Sequence, residues 1–143
     1  MIILDTNIIS EFMTSRPNNA VLNWLNNHIR PSLFISTISI AEIGYGLRNM
    51  PEGTRRRLLT DKFSQFVDFA FEDRVLAFGE KAAKRYPEIM GRRREAGRPM
   101  SSLDGQIASI AQAKRFTVAT RNTKDFEDCG VMLVNPFNST IQD

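Results

Sequence analysis

The chain has 143 residues, 42% of them hydrophobic and 24% charged, which suits one ordinary domain with a buried core, taken here as residues 1–143. Lys and Arg number 19 against 16 Asp and Glu, a formal net charge of +3. A single Cys (Cys129) and a single His (His28) exclude an internal disulfide framework, a Cys-rich zinc centre and any site needing two histidines. A catalytic metal would then be held mostly by carboxylates, which favours Mg²⁺ or Mn²⁺.

Met1–Leu4 is continuously apolar and predicts a short strand buried on both faces. It stops at Asp5, too early for a signal peptide, and no apolar run approaches the roughly 20 residues of a membrane span, so the expected location is the cytoplasm. Asp5-Thr6-Asn7 can cap a helix from Ile8 to about Met13. Val21, Leu22, Trp24, Leu25 and Ile29 form a second helical stripe, serving either the core or a partner surface. Leu33-Phe34-Ile35 reads as a strand, followed by a helix from Ile38 to about Asn49 capped by Ser36 or Thr37. Thr54 to Phe71 predicts one long helix with Leu58, Leu59, Phe63, Phe66, Val67 and Ala70 on its apolar side. Arg74–Ala77 is a third strand, and Gly79 to about Glu95 a helix starting late or bent at Pro87. Ser101 or Ser102 caps a helix to about Arg115, with Leu103, Ile107, Ile110 and Ala111 apolar. Phe116–Thr120 and Val131–Val134 are the last two strands. Strands alternating with helices predict an α/β fold, a mainly parallel sheet with helices on both faces. Such folds bind ligands at the carboxyl ends of their strands.

Polar residues that follow strands, or open helices, are therefore the candidates. Asp5 ends the first strand, where taken alone a helix cap explains it better than a catalytic role, and Thr6 and Asn7 extend the polar cluster. Glu42 is the only acid between Ile29 and Met50, in a helix that is otherwise largely apolar; a solvated face and a paired or metal-bound carboxylate are equally consistent with it. Asp104 opens a helix behind Ser101, as in a capping box, where the helix dipole favours an anion. Thr120-Arg121-Asn122 ends the fourth strand; Asp125 reads as a turn or cap residue. Carboxylates gathered at such an edge need a cation to remain ionised together. Mg²⁺ or Mn²⁺ there can activate water for phosphodiester hydrolysis. His28 reads as a surface residue and Cys129 as packing.

The segments Ile3-Leu4-Asp5-Thr6-Asn7, Ser39–Gly46 around Glu42, Asp104-Gly105-Gln106-Ile107-Ala108 and Ala119–Phe126 stand in the order and spacing of a PIN domain. The whole chain resembles the VapC-type toxins of bacterial toxin–antitoxin pairs, and the closing Val134-Asn135-Pro136-Phe137 resembles the FitB-like branch. The resemblance implies a PIN-like three-layer fold and a Mg²⁺- or Mn²⁺-dependent endoribonuclease using one or two ions. Asp5 and Asp104 match the family's principal metal-binding acids and Glu42 its conserved glutamate, with Thr6, Asn7 and Thr120 as supporting hydrogen-bonding residues. Asn122 stands where many members carry a fourth acid, a departure that bears on the second metal more than the first. The implied partners are RNA, a VapB- or FitA-like antitoxin that wraps the domain and blocks the site, and a second copy in a homodimer or higher complex; no membrane is implied. The alternatives are a non-catalytic RNA- or antitoxin-binding module and a DNA-directed nuclease. An aspartyl-nucleophile phosphatase is disfavoured because Asn7, not Asp, stands two places after Asp5.

Charge is unevenly spread. Lys81–Arg98 holds seven basic residues against Glu88 and Glu95, a local +5 that leaves −2 on the remainder. Any one of these suits a solvated helix face, but together they predict a phosphate-binding edge, with Arg92, Arg93, Arg94 and Arg98 as RNA-contact candidates. Arg55-Arg56-Arg57 is a second cluster, read as a solubilising helix start or partner surface.

Overall fold

The computed structural model describes residues 1–138. Five strands, β1 (Ile2–Leu4), β2 (Leu33–Ser36), β3 (Val75–Leu76), β4 (Thr117–Ala119) and β5 (Leu133–Val134), form one sheet in the order β3-β2-β1-β4-β5. All four pairings are parallel, with Ile3 of β1 opposite Phe34 of β2 and Val118 of β4. The chain leaves β1 to build one half of the sheet and returns beside β1 with β4 to build the other. The crevice at the carboxyl ends of β1 and β4 is thus the topological switch point, where open parallel sheets bind ligands.

The pleat sends alternate side chains to opposite faces. Leu4, Leu33, Ile35 and Ala119 join one buried cluster, and Ile3 and Val118 join another. The first cluster is covered by α1 (Thr6–Met13), α2 (Asn19–Asn26), α3 (Thr37–Arg48) and α4 (Thr54–Gln65), which contribute Ile8, Trp24, Ile43 and Phe63. The second is covered by α5 (Glu80–Glu95) and α6 (Ser102–Lys114), which contribute Ile89, Ile107 and Ile110. This is the three-layer arrangement expected from the alternation of elements. No helix among the described residues is long and apolar enough to cross a membrane.

Several local expectations change. The long helix predicted to Phe71 ends at Gln65, and a π-turn, Phe66–Ala70, follows it. This wider turn lets Phe66 stack on Phe71, with ring centroids 4.9 Å apart, and pack against the core. Leu58 and Ile29, both assigned to apolar stripes, are 63% and 73% exposed. The second helix ends at Asn26, before Ile29 can follow its stripe. Leu103 also stands partly in solvent, because α6 buries Gly105, Ile107 and Ala108 on its inward side. Pro87 does not break α5, which runs unbroken from Glu80 to Glu95. Trp24 belongs to the core, with His28 stacked on it at 4.3 Å. Cys129 is buried against Met100.

Candidate active site

Asp5 stands at the switch point. Its backbone N–H donates to Ala119 O of β4 at 2.9 Å, extending the ladder one step past β1. Its side chain then caps α1: Oδ1 accepts the Thr6 N–H at 2.8 Å. Oδ2 accepts the Thr120 hydroxyl at 2.8 Å. The expected cap and the candidate site residue are therefore the same group. Asp5 is only 5% exposed. Burial lifts its pKa from 3.8 to about 6, opposed by the two hydrogen bonds and assisted by the negative charges of Asp104 and Glu42.

Glu42 reaches the same crevice from α3. Its Oε1 accepts the Thr6 hydroxyl at 3.0 Å, and the Ser39 hydroxyl lies 2.8 Å from the same Thr6 oxygen. Thr6 has one hydroxyl proton, directed at Glu42, so Ser39 is the donor to Thr6. Ser39 is fully buried one helical turn before Glu42 and was missed at the sequence level, where its only mark was a small polar residue on an apolar helix. Asp104 approaches from the opposite layer, in the first turn of α6, its backbone N–H on the Ser101 hydroxyl at 3.2 Å. Its pKa is raised by burial and by Asp125, with Ser101 and Arg93 acting in the opposite sense.

These acids, with Thr6, Asn7 and Asn122, line one open cavity of about 410 Å³. Asn7 braces its rim, donating from Nδ2 to Thr120 Oγ1 at 3.4 Å and accepting the Arg121 N–H on Oδ1 at 3.2 Å. Thr120 is the hub, since its hydroxyl also accepts the Asn122 N–H at 3.1 Å. Ser10 and Glu11 of α1 and Thr14, its C-cap, complete the wall. Their signal was the i,i+4 spacing from Thr6 and Asn7, a polar stripe on α1 that periodicity could have revealed.

The donor set is all oxygen, as a hard divalent cation requires. Among the described residues no three acids, histidines or cysteines stand at metal-cage spacing. The raised pKa of Asp5 marks a carboxylate that a divalent charge would return to its ionised form.

The four arginines assigned to RNA contact do not form one surface. Arg93 is only 4% exposed and turns into the protein, donating to the carbonyls of Arg98, Lys124 and Glu127 at 2.7, 3.2 and 2.7 Å. It ties the end of α5 to the Thr123–Phe126 turn (a short 3₁₀ helix) rather than facing a phosphate. Arg98 is paired with Glu127 and Asp128. Arg92 pairs with Glu88 one helical turn away, and Arg94 is exposed.

Comparison with known proteins matches the PIN domain family over residues 2–131. The chain is 39% identical over 137 residues to "VapC ribonuclease Y4jK" of Sinorhizobium fredii, covering 96% of this chain and 98% of that one. It is 34% identical to "Toxin FitB" of Neisseria gonorrhoeae, covering 96% and 99% respectively. A solved structure, FitAB bound to an IR36 DNA fragment, superposes with a TM-score of 0.91 at 33% identity over the full length of both chains.

Proposed function

The chain belongs to the PIN domain family, and from that premise we propose that it is a metal-dependent endoribonuclease, the toxin of a type II toxin–antitoxin pair, built as one PIN-like nuclease domain over residues 1–143. The observation that carries the reading is the convergence of Asp5, Glu42 and Asp104, from three elements in two layers, on one cavity at the switch point of the sheet. Relatives named as a ribonuclease and a toxin, matched along almost their whole lengths, support the activity and the role.

Asp5 and Asp104 would hold a Mg²⁺ or Mn²⁺ ion, with Glu42 completing the set directly or through water. Bound there, the ion supplies Lewis-acid polarisation of a phosphate oxygen and a water of lowered pKa. The chain's own groups prepare this. Thr6 N–H and the Thr120 hydroxyl fix the plane of the Asp5 carboxylate. The Ser39-to-Thr6-to-Glu42 relay fixes Glu42 through Oε1 and leaves Oε2 to orient the attacking water and take its proton. No histidine base is needed: His28 is engaged with Trp24 and does not line the acidic cavity. Asn122 at the rim supplies an amide where a fourth acid would add charge, which favours one tightly held ion over two.

The partner is an antitoxin. Next to the site, α1, α3 and α4 enclose a trough of about 910 Å³ floored by Leu47, Met50 and Leu59, sharing Thr6 and Glu42 with the acidic cavity. An apolar antitoxin segment laid in this trough would cover Glu42 and stop the reaction. A second copy of the chain, in a homodimer or larger complex, is the further partner that membership of the family suggests.

The test uses the purified chain freed of antitoxin, incubated with total RNA and with a matched DNA under Mg²⁺, Mn²⁺ or chelator, and maps the new ends. Metal-dependent internal cleavage of RNA is expected. Cleavage of DNA alone would replace the substrate, and binding without cleavage of either would leave a non-catalytic module.

A further inference from the structure

We infer that Arg121 is a substrate contact, a guanidinium held ready at the rim of the acidic cavity to receive an RNA backbone phosphate beside the one being cleaved. The inference rests on the reading of the site as a ribonuclease. It begins with the position of Arg121 between Thr120, which bonds the Asp5 carboxylate, and Asn122, which lines the cavity. The backbone of Arg121 is fixed from both sides. Its N–H donates to Asn7 Oδ1 at 3.2 Å, and its carbonyl accepts from Asn135 Nδ2 at 3.2 Å.

The side chain is fixed as well. Its guanidinium carbon lies 4.5 Å from the ring centroid of Phe137. Asn135 clips the two residues together, because its Oδ1 accepts the Phe137 N–H at 2.9 Å while its Nδ2 holds the Arg121 carbonyl. Phe137 in turn packs against the core cluster that α1–α4 cover. The closing Asn135-Pro136-Phe137 segment thereby gains a physical role, which is to seat Arg121.

What Arg121 does not do is equally informative. Arg74 and Arg93 commit their guanidinium groups to backbone carbonyls, and Arg98 commits its own to Glu127 and Asp128. Arg121 makes no ion pair and no side-chain hydrogen bond among the described residues. Arg121 is exposed, and its contact with the Phe137 ring consumes none of its N–H groups, which stay available for a phosphate to bind in pairs. An exposed, pre-ordered and unpaired arginine stabilises the fold little. Beside three carboxylates that repel a polyanion, it offsets that repulsion where RNA must enter.

The experiment measures steady-state cleavage of a fluorescent single-stranded RNA across a salt series, for the intact chain and for Arg121→Gln, Arg121→Lys and Phe137→Leu. Arg121→Gln is expected to raise KM about ten-fold at low salt, change kcat less than about three-fold, and lower the slope of log KM against log salt by about 0.7, one phosphate contact on a single strand. Arg121→Lys should restore the slope and only part of the affinity, since a lysine is a point charge without the paired geometry. Phe137→Leu should raise KM and keep the slope. The inference is overturned if the intact chain cleaves RNA while Arg121→Gln leaves KM and slope unchanged, or if kcat collapses together with melting temperature. If the intact chain cleaves no RNA with metal present, the ribonuclease reading fails first and takes the inference with it.

Discussion

Replacing Asp5 by Asn should make the metal-free protein more stable while abolishing its activity. In the folded chain the Asp5 pKa stands at about 6 against an ordinary 3.8. A raised carboxylate pKa means that the folded state binds the proton more tightly than the unfolded state. Its stabilising contribution is fully present below pH 3.8 and is lost as pH rises through about 6. About two pKa units at 1.36 kcal/mol each put the cost of the ionised form near 3 kcal/mol above that range. Asn escapes this cost and can still cap α1 through its amide oxygen. It meets Thr120 Oγ1 with an amide nitrogen, which forces that hydroxyl proton to turn away and returns about 1 kcal/mol. The net gain is about 1–2 kcal/mol, or about 3–6 °C in Tm for a chain of this size. The assay is thermal unfolding with chelator at pH 4, 6 and 8. Asp5→Asn should be about 1 kcal/mol less stable than the intact chain at pH 4, where only the Thr120 mismatch remains, and should overtake it as pH rises through about 6. Mg²⁺ should raise the Tm of the intact chain at pH 8 and leave the variant unmoved. An Asp5→Asn protein less stable than the parent at pH 8, or a difference independent of pH, would refute the reasoning.

Three further outcomes follow from the same contacts. Thr120→Val removes the hydroxyl that holds Asp5 and accepts from Asn7 and Asn122; it should cost about 1–3 kcal/mol by denaturant unfolding and weaken Mn²⁺ binding, measured by calorimetry, more at pH 6 than at pH 8. Gly105→Ala would place a Cβ 2.4 Å from Met90 Sδ and 3.1 Å from Tyr86 Cε2, where α5 crosses α6. It should destabilise by about 1–3 kcal/mol and slow cleavage through the neighbouring Asp104, with Met90→Ala restoring part of both. Arg93→Met strips donors from three carbonyls and should cost at least about 2 kcal/mol, whereas exposed Arg92→Ala should stay within about 0.5 kcal/mol.

The fold was legible because strands buried on both faces leave short apolar runs, and the polar residue that ends such a run is conspicuous. Asp5 and the Thr120–Asn122 segment stand out in that way, whereas Glu42 is marked as the lone acid of a largely apolar helix and Asp104 as the first-turn acid behind Ser101. Three kinds of information were not written so plainly. Consecutive helical residues point about 100° apart, so Arg92-Arg93-Arg94 could not form one basic face, and one of them had to turn inward. Ser39 acts only through the hydroxyl of Thr6, 33 positions earlier, a relation that no local spacing encodes. Leu58 fits a helical stripe on paper, but α4 contributes Phe63 to the buried core and leaves Leu58 in water. The closing Asn135-Pro136-Phe137 was visible as a resemblance, and its physical role emerged only when Asn135 was seen to join Arg121 to Phe137.

The central claim is that Asp5, Glu42 and Asp104 act together, through a divalent ion, to hydrolyse RNA. Its most direct test is single-turnover cleavage of one mapped RNA site by antitoxin-free protein, first stripped with chelator and then titrated with Mn²⁺, for the intact chain and for Asp5→Asn, Glu42→Gln and Asp104→Asn. The account predicts no cleavage without metal, recovery in the intact chain on titration, and at least about a hundred-fold loss in each variant, a size typical of removing a group that stabilises developing charge. Cleavage that persists in chelator, or that survives in Asp5→Asn and Asp104→Asn, would contradict it.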